Sequence, residues 1–126
     1  MTNGYKDLIV WQKSMAFCTN IYKITANFPD SERFGLVNQL RRAAVSIPSN
    51  LSEGSKRNTR KDQNQFYTIA YGSGAEIETQ LEISKSLFPK HKSNLEAIEN
   101  DLVEIMKMLN KLRLATNSKV STTNQL

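Results

Sequence analysis

Histidine and cysteine are almost missing from this chain of 126 residues, which has one of each, His91 and Cys18. A single cysteine rules out an intramolecular disulfide and suits a reducing, cytoplasmic setting. A single histidine, in the loop Pro89-Lys90-His91-Lys92, leaves no Glu-x-x-His pairs for a di-iron bundle. Zinc-ligand spacing, a glycine-rich phosphate loop and a serine-nucleophile elbow are all lacking. Glycine (5) and proline (3) are too scarce for a fold of many short strands and tight turns. No run approaches the ~18 apolar residues needed to span a bilayer. No apolar run follows a basic segment near Met1, so no leader is expected. These absences predict a protein that is not an enzyme, binds no metal or cofactor and stays out of membranes.

What the chain does have is positive charge and helical periodicity. Seventeen Lys and Arg against twelve Asp and Glu give a formal charge of +5. Such a balance favours polyanionic partners: RNA, DNA or an acidic protein surface.

Four helices are legible. The first is predicted from about Lys6 to Ala26. Leu8, Trp11, Met15, Cys18, Tyr22 and Thr25 form one row, and Ser14, Phe17, Ile21, Ile24 and Phe28 form a second beside it. Two adjacent rows make a face wider than one bundle core needs, which predicts self-association. Cys18 lies on this apolar face, which predicts a buried, structural thiol. The second helix follows Pro29-Asp30-Ser31, with Asp30 or Ser31 as its cap. It carries Leu36, Leu40, Ala43, Ile47 and Leu51, is expected to kink or break at Pro48, and stops near Gly54. The third starts near Thr59 and buries Phe66, Ile69, Ala70, Ser73, Ile77, Leu81 and Leu87, with Gly72 and Gly74 permitting close approach. The fourth opens on a capping box of Ser93 and Glu96 and carries Leu95, Ile98, Leu102, Ile105, Leu109 and Leu112. Short connections make successive helices antiparallel neighbours. The expected fold is therefore all-α, an antiparallel up-down-up-down four-helix bundle over residues 1–116. A disordered polar tail is expected over 117–126.

Two polar constellations stand out. Lys56, Arg57, Arg60 and Lys61 lie at the corner between the second and third helices, with Arg41 earlier; all five are candidate nucleic-acid contacts. Trp11 and Tyr22 could stack on bases, but residues at helical spacing are more often core or interface. Arg42, Ser46, Asn50 and Glu53 share one face of the second helix and are expected opposite Ser73 and Glu76. That set reads as a structural polar network, with an Arg42–Glu76 ion pair specifying register.

The run Gln39-Leu40-Arg41-Arg42-Ala43-Ala44-Val45-Ser46-Ile47-Pro48-Ser49-Asn50-Leu51-Ser52-Glu53-Gly54 is long and specific. It stands with Leu8-Ile9-Val10-Trp11-Gln12, Phe28-Pro29, Phe34-Gly35-Leu36, Ile69-Ala70-Tyr71-Gly72-Ser73, Glu76 and Glu78. Together these resemble the four-helix-bundle proteins encoded by intervening sequences of bacterial 23S ribosomal RNA genes. That family also includes the accessory variability determinants of diversity-generating retroelements. The resemblance covers about residues 5–114. It implies a homopentameric barrel and, in the retroelement branch, a basic surface that binds reverse transcriptase and RNA. The combined expectation is a non-catalytic, homo-oligomeric protein that binds RNA or DNA or assists a reverse transcriptase. The alternative is a protein–protein scaffold whose basic corner meets an acidic surface.

Overall fold

The computed structural model describes the backbone of residues 4–125 and the side chains of residues 4–118. It contains α1 (Ile9–Thr25), α2 (Leu36–Ser55), α3 (Arg60–Leu87) and α4 (Lys92–Gln125). Short 3-10 turns at Gly4–Asp7, Asp30–Glu32 and Pro89–His91 link or precede them. Among the described residues there is no strand. Each helix packs on two others: α1 on α2 and α4, and α3 on α2 and α4. Among the described residues the backbones of the diagonal pairs, α1 with α3 and α2 with α4, do not come close. One core therefore sits between all four helices.

In α1 the core is the second row: Ser14, Phe17, Ile21, Ile24 and Phe28 are all buried. Of the first row, Thr25 is buried, Leu8, Trp11 and Cys18 are half-buried, and Met15 and Tyr22 are 44% and 42% exposed. The expected α2 row, Leu36, Leu40, Ala43, Ile47 and Leu51, is buried throughout. The α4 seam from Leu95 to Leu109 is also buried, with Leu112 half-buried at its end.

Several local expectations are corrected. Asp30 and Ser31 do not cap α2; they form a 3-10 turn, and the N-cap is Gly35, which makes no side-chain cap bond. α2 runs unbroken through Pro48, whose ring is buried. Proline in a helix costs about 3 kcal/mol. Burying each Leu or Ile contributes roughly 1.5–3 kcal/mol, and this helix buries four of them, so packing outweighs the local penalty. α4 begins at Lys92, directly from the preceding 3-10 turn. Ser93 thus lies inside its first turn, and no capping bond from Ser93 or Glu96 forms among the described residues. Thr59 does cap α3, its Oγ1 accepting the Asp62 N–H at 3.1 Å.

In α3, Ile69 and Leu87 are more than half exposed, while Tyr67, Gln80 and Ser84 are buried. Gly74 faces the Met106 thioether so closely that a Cβ there would overlap it. Gly54 is not a simple stop: a Cβ there would lie 2.7 Å from Tyr67 Cε1 and 3.1 Å from Phe66 Cβ. The α4 backbone continues helically to Gln125. The expected disordered tail, 117–126, falls mostly outside the described side chains.

Candidate nucleic-acid interface

The corner between α2 and α3 is built by a four-residue connection, Lys56 to Thr59. The α2 C-terminus is tied off by N–H bonds from Lys56 to the Glu53 carbonyl and from Arg57 to the Gly54 carbonyl, both 3.1 Å. Arg60 and Lys61 then occupy the first turn of α3, where free backbone N–H groups give the helix a partial positive charge. Lys56, Arg57, Arg60 and Lys61 are all exposed. Counter-charge is sparse: Arg57 lies 4.0 Å from Glu53, and Asp62 is the nearest acid in α3. The Arg57 guanidinium stacks 4.5 Å from the Phe66 ring centroid, and Gln63 Nε2 donates to the Arg57 carbonyl at 3.2 Å. Four of the five expected phosphate contacts are therefore brought to one exposed end.

Arg41 is not among them. It sits near the start of α2, about 22 Å from Lys56 at 1.5 Å of rise per residue. Its Nε donates to Thr25 Oγ1 at 3.0 Å, and its Nη2 donates to the Tyr22 carbonyl at 3.2 Å. Its guanidinium also lies 4.6 Å from the Tyr22 ring centroid. Arg41 ties down the C-terminal turn of α1, where carbonyls lack helical partners and a cation is favoured. Its assignment by sequence rested on charge alone.

The polar network forms in part. Ser73 Oγ donates to Ser46 Oγ at 2.8 Å, joining α3 to α2. Asn50 Nδ2 donates to Ser46 Oγ at 2.9 Å and to the Ser46 carbonyl at 2.8 Å. Arg42 and Glu76 line the same groove between α2 and α3 but form no ion pair among the described residues. Both are exposed, and hydrated charges gain little from pairing there. Glu53 leaves the network and points toward Arg57 instead.

Burial pushes the Cys18 thiol pKa up, the opposite of what a nucleophile needs. His91 is half-buried: its ring lies 5.6 Å from that of Phe28, and its Nε2 is buried without a hydrogen-bond partner among the described residues. Among the described residues no three His, Cys, Asp or Glu side chains gather as a metal site. Among the described residues no helix is long and apolar enough to cross a membrane.

Sequence reasoning missed Tyr5, Gln63 and Tyr67 at the corner. Together with Gly4, Leu8, Ser55, Lys56 and Arg60 they line a groove of about 290 Å³. Tyr5 comes from the 3-10 turn before α1, and its ring meets Trp11 edge-on at 5.3 Å. Leu8 heads the first apolar row of α1, but residues 4–7 carry no periodic signal that would have placed Tyr5 at the end of α2.

The family model for 23S rRNA-intervening sequence proteins matches residues 6–111. The chain belongs to that family. A crystal structure of a protein of unknown function from Bacteroides thetaiotaomicron, assigned to the S23 ribosomal protein family, superimposes with a TM-score of 0.74. The two are 29% identical over 83% of this chain and 98% of that one. No curated protein matches. The family match spans all of α1, α2 and α3 and most of α4, including the whole basic corner.

Proposed function

We propose that this protein is a non-catalytic, homo-oligomeric nucleic-acid-binding protein that receives phosphates at its basic α2–α3 corner. The observation that carries the reading is the convergence of Lys56, Arg57, Arg60 and Lys61 on one exposed helix junction. Four cations beside a helix N-terminus suit a polyphosphate chain.

Within this reading the helices alternate in direction. Ser46 meets Ser73 while Gly54 meets Tyr67, so numbers rise along α2 as they fall along α3. Lys85 bridges to Glu99 at 2.8 Å while Gly74 meets Met106, the same sense for α3 and α4. Five copies form a barrel, with the basic corners repeated around it. The outward row of α1, with Met15 and Tyr22 exposed and Trp11 and Cys18 half-buried beside them, supplies the apolar face for a neighbouring copy. An accessory role beside a reverse transcriptase belongs to the same reading, since such an enzyme works on RNA.

The test is affinity for a structured RNA and for duplex DNA across a salt series. Four neutralised phosphates per subunit predict a loss of about 50- to 150-fold between 50 and 200 mM salt. Changing Lys56, Arg57, Arg60 and Lys61 to Ala should abolish that dependence. Absence of binding at low salt would defeat the reading and favour the scaffold alternative.

A further inference from the structure

The groove beside the basic corner has a composition that phosphate contact alone does not call for. Its walls hold two cations, Lys56 and Arg60, but also the Tyr5 ring, Leu8 and Tyr67. The Lys56 ammonium lies 5.7 Å from the Tyr5 ring centroid, so charge and π-surface share one edge of the groove. Gln63 also lines it. Its Nε2 is committed to the Arg57 carbonyl, which fixes the amide plane and leaves Oε1 as an acceptor for an N–H donor. Tyr67 packs its ring under Gly54 and lies within the field of Arg60, which draws its hydroxyl pKa down against a larger upward push from burial.

The geometry points to a seat for one unpaired nucleotide: Lys56 and Arg60 on its phosphate, the Tyr5 ring on its base face, and Gln63 on its base edge. This rests on the nucleic-acid reading above and narrows it from a polyanion to a strand with exposed bases. A paired base is shielded on both faces and could not enter. An acidic protein surface would use the cations without calling on the Tyr5 ring or Gln63 Oε1. Stacking on an aromatic ring tolerates any base, so the preference concerns strandedness rather than sequence.

The experiment uses the full chain and three fluorescent RNA probes of equal length: a single strand, a blunt duplex and a strand of abasic residues. All three carry phosphates; only the first offers free bases. The single strand should bind about tenfold more tightly than the abasic strand, as expected for one stacked base. Tyr5→Leu and Gln63→Ala should each shrink that preference, read within each variant as the ratio of single-strand to abasic-strand affinity. Thermal melting confirms that both variants are folded. Equal affinity for the base-bearing and abasic strands would overturn the nucleotide seat and leave the electrostatic reading intact. So would a preference that survives both substitutions. Failure of all three probes to bind at low salt would instead defeat the electrostatic reading, and the seat with it.

Discussion

Gly54 and Gly72 invite the same substitution with opposite results. Neither has a positive φ, so space alone decides. A Cβ on Gly54 would lie 2.7 Å from Tyr67 Cε1, 3.1 Å from Tyr67 Cδ1 and 3.1 Å from Phe66 Cβ. Those atoms belong to a rigid, buried ring and to a Cβ fixed by the α3 backbone, so neither yields easily. Overpacking of this kind costs about 1–3 kcal/mol, against a gain in helix propensity of up to about 1 kcal/mol. Gly54→Ala should therefore lose about 1–2 kcal/mol, which lowers a urea midpoint by about 0.5–1 M. A Cβ on Gly72 meets nothing within 4 Å, so Gly72→Ala should gain about 1 kcal/mol. Both are measured by urea titration at one fixed protein concentration, because assembly would make stability depend on concentration. A Gly54→Ala midpoint at or above wild type would refute the close approach of α2 to Tyr67. Since Tyr67 also lines the groove, the same variant should weaken single-strand RNA binding.

Arg41→Met should cost about 1–2 kcal/mol by removing the bonds to Thr25 and Tyr22, with RNA affinity unchanged; a loss of affinity would return Arg41 to the interface. Met15→Lys should leave the helical circular dichroism signal intact but lower the mass seen in light scattering; an unchanged mass would clear the outer row of α1 from assembly. Lys85 hydrogen-bonds Glu82 at 2.9 Å and Glu99 at 2.8 Å, and Glu82 is held below the usual carboxylate range, first by its bond to Lys85. A lowered folded-state pKa means that this stability is present above the unfolded Glu value of about 4.3 and is lost as pH falls through the folded one. Lys85→Met should flatten the melting temperature between pH 3 and 6; an unchanged acid limb would show that the bridge contributes nothing.

Legibility in the sequence followed how many neighbours each stripe serves. The α2 and α4 rows were readable because Leu and Ile repeat without competition. α1 carries two rows of similar apolarity, and only the positions of α2 and α4 decide that Phe17, Ile21 and Ile24 face inward. In α3 the buried stripe mixes small residues, Ala70, Ser73 and Gly74, with Ile77 and Leu81, because neighbours approach it closely from both sides. Choosing the largest apolar residues therefore selected Ile69 and Leu87 wrongly. At the corner, the run from Lys56 to Lys61 was legible because its residues are contiguous. Tyr5 and Tyr67 were not, since 62 positions separate residues that only the fold brings together.

The pairing of helices also bears on how the chain acquires its shape. Three of the four helix contacts join consecutive elements across short links, and such local pairings form early and fast. The fourth, α1 against α4, joins residues as far apart as Lys13 and Glu104, which pair at 3.0 Å. That seam carries the largest loop-closure entropy and should be the last to zip and the first to open. In hydrogen exchange, amides of α1 should then exchange before those of α2 and α3, whose mutual packing outlives the seam.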